Sequence, residues 1–349
     1  MKILLIGEYS GVHNNLKSAL ISLGHDVVLM GDGDGYKDFG FDLPIAPYRG
    51  SILSKLKNIL YILSKIPFIY KFDVIQIINP YIFPLHYFFS GIFYQMLLRA
   101  RKIIYYACGT DPNFLSSRES FSYFPFDDRL SENYRHYNKW HLFYFFFFLR
   151  RVDSIISSCY TYRQGYLGCS KHACTIPLPS SMISPEIKDR HDETKVKILF
   201  GITRRDFKGA SHIETALERV RLNFPRLVEI KVLESVPFAV FENELDSTDI
   251  LIDQCRSYDY GMGAIFALER GVITLSGAEP VAMLECFSSD CPVININPDA
   301  EQIYVALETL CLLSHEERVQ LKRKSQEWAN RYHNSLSIAQ KFIHIYQQC

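Results

Sequence analysis

The sequence predicts an α/β protein with two Rossmann-like domains, and three observations support this. The length of 349 residues suits two domains, since domains average about 150 residues. Short apolar runs alternate with segments of helical periodicity in both halves, as in parallel sheets whose strands are joined by helices. Three prolines interrupt the pattern at Pro177–Pro185, and a polar run, Lys188–Lys195, follows, which indicates a linker between the domains.

The first half begins with an apolar run that ends in glycine, Lys2–Gly7, as a buried parallel strand does. Val12–Leu23 then repeats apolar residues at helical spacing, and Gly24 closes the predicted helix. The other elements predicted here are a mostly buried helix, Phe83–Leu98, and the strands Asp26–Met30, Val74–Ile78, Lys102–Ala107 and Ser154–Ser158.

The second half repeats the alternation, starting with the strand Val196–Phe200. Helices and strands are predicted after it at Ser211–Asn223, Val228–Leu233, Phe238–Leu245, Ile250–Asp253, Met262–Arg270, Val272–Ser276 and Pro292–Ile296, before a helical tail from Ala300. We therefore place a first domain at residues 1–187 and a second domain at residues 195–330. The last segment, residues 331–349, is expected to be a helix that packs back on the first domain.

The composition is typical of a globular protein of the cytoplasm. Hydrophobic residues make up 48% and charged residues 22%, a balance that can form a sizeable core. Lys+Arg and Asp+Glu number 38 each, which argues against a general nucleic-acid binder. The N-terminus does not resemble a signal peptide, and no apolar stretch reaches the roughly 20 residues of a membrane span. The nine scattered cysteines match no zinc pattern and predict reduced thiols.

Polar loops in the first half are candidate ligand sites, because open parallel sheets bind ligands beyond the carboxyl ends of their strands. The loop Gly7–Asn14 precedes a predicted helix, whose first amides suit an anion or a hydroxyl-rich ligand. The alternative is an ordinary turn in which Ser10 caps the helix. In Cys108–Asp111, Asp111 is placed as a base or a substrate-orienting carboxylate, and the alternative is a solvated turn before Pro112.

The loop Gly201–Gly209 is the strongest candidate in the second half, because Arg204, Arg205 and Lys208 lie next to a glycine and a coming helix. Arginine offers planar donors that match phosphate oxygens, and lysine adds a point charge. This arrangement suits a diphosphate leaving group, on which charge grows during the reaction. The alternative is a solvated basic loop.

Two further loops of the second half follow predicted strands. Asp253 and Gln254 end one strand, and Tyr258–Gly263 leads into a helix whose positive N-terminus would face a ligand. Ser276–Pro280 follows the next strand, and Glu279 within it is suited to accept hydrogen bonds from ribose or sugar hydroxyls. The alternative for the second loop is a surface turn.

The order of these motifs resembles that of GT-B glycosyltransferases, in particular the large retaining group called glycosyltransferase family 4. In that family two Rossmann-like domains face each other across a cleft, and the C-terminal domain holds most of the sugar nucleotide. The resemblance spans nearly the whole chain. It rests on MKILLIG at 1–7, ALISLGHDVV at 19–28, CGTD at 108–111, VDSIISSCY at 152–160, FGITRRDFKG at 200–209, DILIDQ at 249–254, YGMGAIFALERGVITLSG at 260–277, and a tail with Trp328 and Tyr332-His333.

The resemblance implies transfer of a sugar from a nucleotide-diphosphate donor to a glycan or lipid-linked acceptor, with retention, as in bacterial surface-polysaccharide synthesis. It makes Arg205 and Lys208 the diphosphate ligands and, with Asp111, the catalytic residues. Ser10, His13 and Asp111 would contact the acceptor. The donor site would comprise Gly11, Gly201, Arg204, Arg205, Lys208, Gln254, Tyr258, Gly261, Met262 and Glu279. No cofactor and no metal are expected, since the cations can replace a metal, and no nucleic acid is expected as a partner.

One departure from the family pattern concerns its two glutamates, which lie eight positions apart and of which the second binds the nucleotide ribose. Tyr258 and Phe266 occupy the corresponding positions here, and neither side chain is a carboxylate. Asp259, Glu269 and Glu279 are the substitutes that the sequence offers. The departure also leaves open a catalytically inactive GT-B homologue that acts as a binding or assembly subunit. A sugar-nucleotide epimerase, another two-Rossmann enzyme, is a further possibility.

Two segments combine basic and aromatic or aliphatic residues. Ser51–Lys71 has four lysines among Ile, Leu, Tyr and Phe, and Trp140–Arg151 has five phenylalanines, one tyrosine and two arginines. Such mixtures suit a peripheral contact with the inner membrane, with aromatics at the headgroups and cations on anionic lipid. The alternative is a pair of core helices with solvated cations. Both interpretations stay open for Ser51–Lys71, and the core interpretation is favoured for Trp140–Arg151.

Overall fold

The computed structural model describes residues 1–48, 50–81, 102–127, 138–181, 186–187 and 195–348. The chain forms two compact units. The first comprises Met1–Ser117, Leu130–Pro179 and Ser335–Cys349, and the second comprises Arg118–Arg129 and Ser180–Asn334. The short segment Arg118–Arg129 thus belongs to the second unit, although it lies far ahead of the predicted linker in the sequence. That linker lies largely outside the described residues.

The first unit contains a parallel seven-stranded sheet with the strand order β3-β2-β1-β4-β5-β6-β7. Ile3 of the central strand pairs with Val27 on one side and with Val74 on the other. The strands are β1 (Lys2–Ile6), β2 (Asp26–Gly31), β3 (Leu43–Pro44), β4 (Val74–Ile77), β5 (Ile103–Ala107), β6 (Ser154–Ser157) and β7 (His172–Thr175). The sequence did not predict β3, which has two residues, or β7, whose His-Ala-Cys-Thr lacks an apolar run.

Helices cover both faces of this sheet. They span Val12–Ser22, Ile52–Ile69, Pro112–Ser116, Lys139–Arg151, Tyr160–Gln164 and Ser335–Gln348. One face packs on Ile52–Ile69 and Lys139–Arg151, which contribute to a single core cluster with alternate residues of β1, β4 and β5. On the other face the C-terminal helix contacts the first helix, and Phe342 packs edge-on against Tyr106 with ring centroids 5.0 Å apart. The predicted helix Phe83–Leu98 lies outside the described residues.

The second unit contains a parallel five-stranded sheet with the order β12-β11-β10-β8-β9. Its strands are β8 (Val196–Ile202), β9 (Val228–Glu234), β10 (Ile250–Ile252), β11 (Ile273–Ser276) and β12 (Ile294–Asn295). Its helices are Arg205–Lys208, Ala210–Asn223, Phe238–Leu245, Met262–Glu269, Pro280–Cys286, Ala300–Leu312 and His315–Tyr332. The predicted bounds agree within two residues, because each element has a clear period and a glycine, proline or polar residue at its ends.

The core of the second unit also lies on both faces of its sheet. Helices Ala210–Asn223 and Ala300–Leu312 pack on one face. On the other, Met262–Glu269 has seven buried residues out of eight and packs against His315–Tyr332, as expected of a helix that is apolar all round. None of the helices among the described residues is both long and apolar enough to cross a membrane.

Candidate functional site

The carboxyl edge of the second sheet brings three of the candidate loops together. Strands β8, β10 and β11 are neighbours in this sheet, so the loops that begin at Thr203, Asp253 and Gly277 lie side by side. Residues in these loops are mostly polar but well buried, including Lys208, Asp253, Gln254 and Asp259. Buried polar groups need partners, and their partners define the site.

Lys208 and Asp253 form a buried ion pair at this edge. The Lys208 Nζ donates to Asp253 Oδ1 at 2.8 Å and to the carbonyl oxygen of Gly201 at 2.7 Å. Ser276 Oγ lies 3.3 Å from the other carboxylate oxygen. The side chains of Lys208 and Asp253 are only 11% and 4% exposed, so each charge depends on the other for compensation.

Gly263 lies against this ion pair, at the start of helix Met262–Glu269. A Cβ at this position would lie 2.7 Å from Asp253 Oδ1 and 4.0 Å from Lys208 Nζ. The backbone therefore approaches the pair as closely as the absence of a side chain allows. Gly201 has a different reason to be glycine, since a Cβ there would lie 2.8 Å from the ring of Phe241.

The guanidinium of Arg205 is paired with two carboxylates, Glu214 and Glu234. Its Nη2 donates to both oxygens of Glu214 at 2.5 Å, and its Nη1 donates to Glu234 Oε2 at 2.8 Å. The hydrogen bond with Glu214 is the main cause that raises the pKa of Arg205. The structure thus separates the two residues that the sequence assigned together to the diphosphate.

Arg204 is an exposed cation of the same loop, as Arg205 is. Its guanidinium lies over the ring of Phe207, 3.7 Å from the ring centroid, and among the described residues no carboxylate is hydrogen-bonded to it. A guanidinium stacked on an aromatic ring keeps its edge donors available. Arg204 and Lys208 are therefore the two cations of this loop best placed to bind an anion at the carboxyl edge.

The loop after β10 is ordered by internal hydrogen bonds. Gln254 Nε2 donates to the carbonyl oxygen of Asp259 at 2.8 Å, and the amide of Gly261 lies 3.5 Å from Asp253 Oδ2. Met262, which begins the next helix, is buried. Gln254, Gly261 and Met262 thus shape the loop, with the Gly261 amide directed at the buried carboxylate.

Glu279 is the carboxylate that the loop after β11 presents at this edge. Its Oε1 accepts hydrogen bonds from Tyr123 Oη at 2.6 Å and from Asn295 Nδ2 at 2.9 Å. Its backbone amide donates to the carbonyl oxygen of Tyr258 at 3.0 Å, which ties the loops after β10 and β11 together. Glu279 is half-buried, unlike Asp259, which is buried.

The segment Phe121–Phe126 packs over these loops, although no motif in the sequence had indicated a part in the site. Tyr123 and Phe121 contact the ring of Tyr258, with centroids 4.9 and 5.0 Å away, and the amide of Ser122 donates to Tyr258 Oη at 3.0 Å. Phe126 contacts Phe207 edge-on at 5.4 Å. The high aromatic content of Phe-Ser-Tyr-Phe-Pro-Phe was the available signal, but nothing in the sequence connects it to loops that come much later in the chain.

Phe266 and Glu269 lie on helix Met262–Glu269, away from the loops of the carboxyl edge. Phe266 is buried against Phe238, with ring centroids 4.6 Å apart, and belongs to the core. Glu269 ends the helix, about 12 Å of helix away from the edge. Its Oε1 accepts a hydrogen bond from Ser181 Oγ at 2.8 Å, and burial raises its pKa to about 7. Of the three carboxylates that could replace the two glutamates of glycosyltransferase family 4, Asp259 and Glu279 lie in loops of the edge, and Glu279 is the more exposed of these two.

In the first unit, the loop after β1 has a left-handed backbone at Gly7, Ser10 and Gly11, with φ of 87°, 52° and 83°. Gly11, not Ser10, is the N-cap of helix Val12–Ser22. Ser10 Oγ accepts a hydrogen bond from Lys37 Nζ at 2.7 Å, and its amide donates to Asp34 Oδ2 at 2.8 Å. Ser10 is one of the partly buried polar residues of this loop, together with Tyr9 and Asn14.

His13 is fully buried beneath the loop. Its Nδ1 lies 2.6 Å from the carbonyl oxygen of Gly7, and its Nε2 lies 3.1 Å from the amide nitrogen of Gln76. Burial lowers the pKa of His13 to about 4, so the ring is neutral at pH 7, with Nδ1 donating and Nε2 accepting. His13 therefore supports the loop from within the core and cannot be contacted by a ligand in solution.

Asp111 is also fully buried. Its Oδ1 accepts the amide hydrogen of Phe114 at 2.8 Å, as the N-cap of helix Pro112–Ser116. Its Oδ2 accepts hydrogen bonds from the hydroxyls of Tyr105 and Tyr166 at 2.6 and 2.7 Å. Burial raises the pKa of Asp111, and these hydrogen bonds oppose that shift. Both carboxylate oxygens are thus engaged by the protein.

Glu8 is a buried carboxyl group in the loop after β1. Its Oε2 accepts hydrogen bonds from the backbone amide and the side chain of Asn14, at 2.8 and 2.7 Å. Its Oε1 has no hydrogen-bond partner among the described residues. Burial is the main cause that raises its pKa from the ordinary 4.5 to about 7.

Replacing Glu8 with glutamine is expected to stabilise the protein at pH 8 by about 1–3 kcal/mol. Between pH 4.5 and 7 the folded chain retains a proton on Glu8 that the unfolded chain has lost, so Glu8 makes stability fall as pH rises. The gain of Glu8→Gln over wild type should therefore grow from pH 4 to pH 8 in urea denaturation. The exposed Glu327→Gln is the control, and a gain that does not change with pH would contradict the assignment.

Metal-ligand side chains do not gather in the described parts of the chain, where no group of three or more His, Cys, Asp or Glu residues is placed to hold an ion. The eight cysteines in those parts are free thiols. The expectation of a metal-independent site stays a prediction.

Comparison with known proteins gives structural matches. No protein-family model and no curated protein matches the chain. Sucrose-phosphate synthase of Thermosynechococcus elongatus aligns with a TM-score of 0.65 at 12% identity, over 100% of this chain and 99% of that one. HepE of Anabaena in complex with UDP-glucose aligns with a TM-score of 0.64 at 11% identity, over 100% of both chains. UDP-GlcNAc 2-epimerase of Methanocaldococcus jannaschii aligns with a TM-score of 0.55 at 10% identity, over 100% of both.

These matches concern the fold, since identities of 10–12% say nothing of individual site residues. Together with the two parallel sheets flanked by helices, they confirm the predicted α/β fold class with two Rossmann-like domains of the GT-B type. Assignment to glycosyltransferase family 4 stays a prediction, as does retention.

Proposed function

We propose that this chain is a glycosyltransferase that moves a sugar from a nucleotide-diphosphate donor to a glycan or lipid-linked acceptor in the cytoplasm, with retention. The observation that supports this is the placement of Arg204 and Lys208 after β8 and of Glu279 after β11, at the same carboxyl edge of the second sheet. HepE, which shares the fold, was solved with UDP-glucose. The edge offers cations for a diphosphate and a carboxylate for ribose hydroxyls, as such a donor requires.

The cations would act on the leaving diphosphate. In the transfer, the bond from the anomeric carbon to the diphosphate oxygen breaks, and a bond to the acceptor hydroxyl oxygen forms on the same face of the sugar. The hydroxyl proton passes to the departing diphosphate oxygen. Negative charge grows on the diphosphate, where fixed cations stabilise it. Lys208 uses two of its three N–H donors on Gly201 and Asp253, which leaves one for a phosphate oxygen. No metal is part of the proposal, because Lys208 and Arg204 supply positive charge.

The proposal gives Arg205, His13 and Asp111 more limited roles than the sequence predicted for them. Arg205 would reach a phosphate only after its guanidinium leaves Glu214 and Glu234. Ser10 would contact the acceptor, because it is partly exposed, whereas His13 of the same loop is fully buried. His13 and Asp111 would position the loops of the first sheet from within the core.

Glu279 is proposed to accept hydrogen bonds from the ribose hydroxyls. Glu279→Gln is expected to weaken UDP binding by about tenfold or more, since hydrogen bonds to a charged group contribute roughly 1.5–3 kcal/mol. Glutamine can still accept from Tyr123 and Asn295 through its Oε1, so the melting temperature should change little. Isothermal titration calorimetry with UDP, with the exposed Glu327→Gln as control, measures the effect. Unchanged UDP affinity in Glu279→Gln would remove Glu279 from the donor site.

The reaction is tested with UDP-glucose and UDP-GlcNAc, each incubated with the protein with and without a panel of glycan and lipid-linked acceptors. Proton NMR distinguishes the outcomes. Acceptor-dependent release of UDP, with the anomeric configuration retained in the product, supports the proposal. Conversion of UDP-GlcNAc into another UDP-sugar without acceptor would favour an epimerase, the activity named for the Methanocaldococcus structure. Nucleotide binding without turnover of any donor would favour the inactive homologue.

A further inference from the structure

Helix Ile52–Ile69 has two opposite apolar faces. The inner face contributes Ile62 and Ile69 to the core of the first unit. The outer face exposes a stripe of aliphatic side chains, Ile52 (86%), Leu53 (59%), Leu56 (53%), Leu60 (58%) and Leu63 (38%). These positions recur every three or four residues and so form one side of the helix. A surface helix of a globular protein normally carries polar residues there.

Helix Lys139–Arg151 has the same organisation with aromatic side chains. Phe145 and Phe148 are buried in the core. Trp140, Phe143 and Phe146 on the outside are 58%, 59% and 49% exposed. Large aromatic rings are rarely left exposed in a group of this kind without a function.

The two outer faces lie on the same side of the first unit. Ile62 and Phe145 pack into the same core cluster as Leu4, Ile75 and Tyr105. Both helices therefore cover the same face of the sheet, and their outer sides point away from it in the same direction. We call the exposed apolar residues of these two helices, with the cations among them, the outer surface.

The charges of the outer surface are all positive. Neither helix contains an aspartate or a glutamate, and together they carry Lys55, Lys57, Lys65, Lys139, Arg150 and Arg151. Some of these cations lie over exposed or half-buried rings, such as Lys65 over Tyr61 at 5.1 Å and Arg151 over Phe147 at 5.4 Å. Lysine and arginine stems can lie along apolar surface while their heads reach outward.

We propose that the outer surface docks on an anionic lipid bilayer. The leucines, Trp140 and Phe143 would enter the boundary between headgroups and acyl chains. The five exposed cations, Lys55, Lys57, Lys139, Arg150 and Arg151, would contact lipid phosphates. Charge complementarity favours this partner over a second copy of the chain, because two such surfaces placed face to face would bring only like charges together. The inference stands apart from the proposed function, although a lipid-linked acceptor would be found at such a surface.

The test is flotation of the full-length protein with two kinds of vesicle. One contains phosphatidylcholine alone, and the other contains phosphatidylcholine with about 30% phosphatidylglycerol, which gives its surface a negative potential. Binding is expected to be at least tenfold stronger on the anionic vesicles and to weaken with salt. An apolar variant, Leu56→Ser with Leu60→Ser and Phe143→Ser, should lose at least tenfold. A charge variant, with Lys55, Lys57, Arg150 and Arg151 each changed to Gln, should lose the preference for anionic vesicles.

The matched control is Leu222→Ser with Leu284→Ser, two leucines of the second unit that are 70% and 62% exposed. It should bind vesicles as wild type does, and circular dichroism should show every variant folded. Absence of wild-type binding to anionic vesicles would overturn the proposal, as would equal losses in the control. Dimerisation in sedimentation velocity that the apolar variant abolishes, with no vesicle binding by wild type, would assign the surface to self-association.

Discussion

Asp111→Ala is expected to lower the free energy of unfolding by about 3–5 kcal/mol. The substitution leaves the buried hydroxyls of Tyr105 and Tyr166 without an acceptor, and each buried unsatisfied group costs roughly 1–3 kcal/mol. It also removes the N-cap of helix Pro112–Ser116, which contributes about 1 kcal/mol. Urea denaturation followed by circular dichroism measures the loss.

Asp299→Ala provides the matched control, because Asp299 is also an N-cap but is exposed and has no tyrosine partner among its hydrogen bonds. Asp299→Ala should lower the free energy of unfolding by the capping contribution alone, about 1 kcal/mol. From the sequence alone, Asp111 was expected to be catalytic. That role would be supported instead if Asp111→Ala kept wild-type stability and lost sugar transfer.

The fold was predictable because its signals are local. Buried parallel strands such as β1 and β10 are continuous apolar runs, and a glycine or polar residue ends each of them. The strand β7 was missed because its sequence, His-Ala-Cys-Thr, has no such run, and its place in the sheet depends on pairing with β6. The segment Arg118–Arg129 was placed in the first domain because sequence order was the only guide, whereas its contacts are with loops after β10 and β11.

The position of the candidate site was also predictable, but the hydrogen-bond and ion-pair partners of its residues were not. Loops after parallel strands meet at one edge, so Lys208 and Asp253 could be expected to be neighbours. Arg205 looks equivalent to Lys208 in the sequence, and only the fold brings Glu214 and Glu234 to its guanidinium. The N-cap role of Asp111 had a local signal, an aspartate directly before a proline at the first helical position, whereas its tyrosine partners depend on tertiary contacts.

Lys208→Met is expected to lower the free energy of unfolding by about 3–5 kcal/mol and to weaken UDP binding by more than tenfold. The first effect follows because Asp253 would stay buried without its counter-ion. The second follows if the ammonium also contacts the donor phosphate. The double variant Lys208→Met with Asp253→Asn removes both charges, so it should regain most of the stability. It should not regain UDP affinity, because the cation is still missing.

The pair Lys322 and Asp249 separates these two effects. It is buried in the same unit, with Nζ and Oδ1 2.6 Å apart and side chains 11% and 10% exposed. Asp249 directly precedes β10, at the end of the strand opposite to Asp253. Lys322→Met should therefore lower stability as much as Lys208→Met and leave UDP affinity unchanged in calorimetry. If both lysine variants bound UDP as wild type does, Lys208 and Asp253 would form an ion pair with a structural role alone. The diphosphate site would then have to be sought at Arg204 or elsewhere.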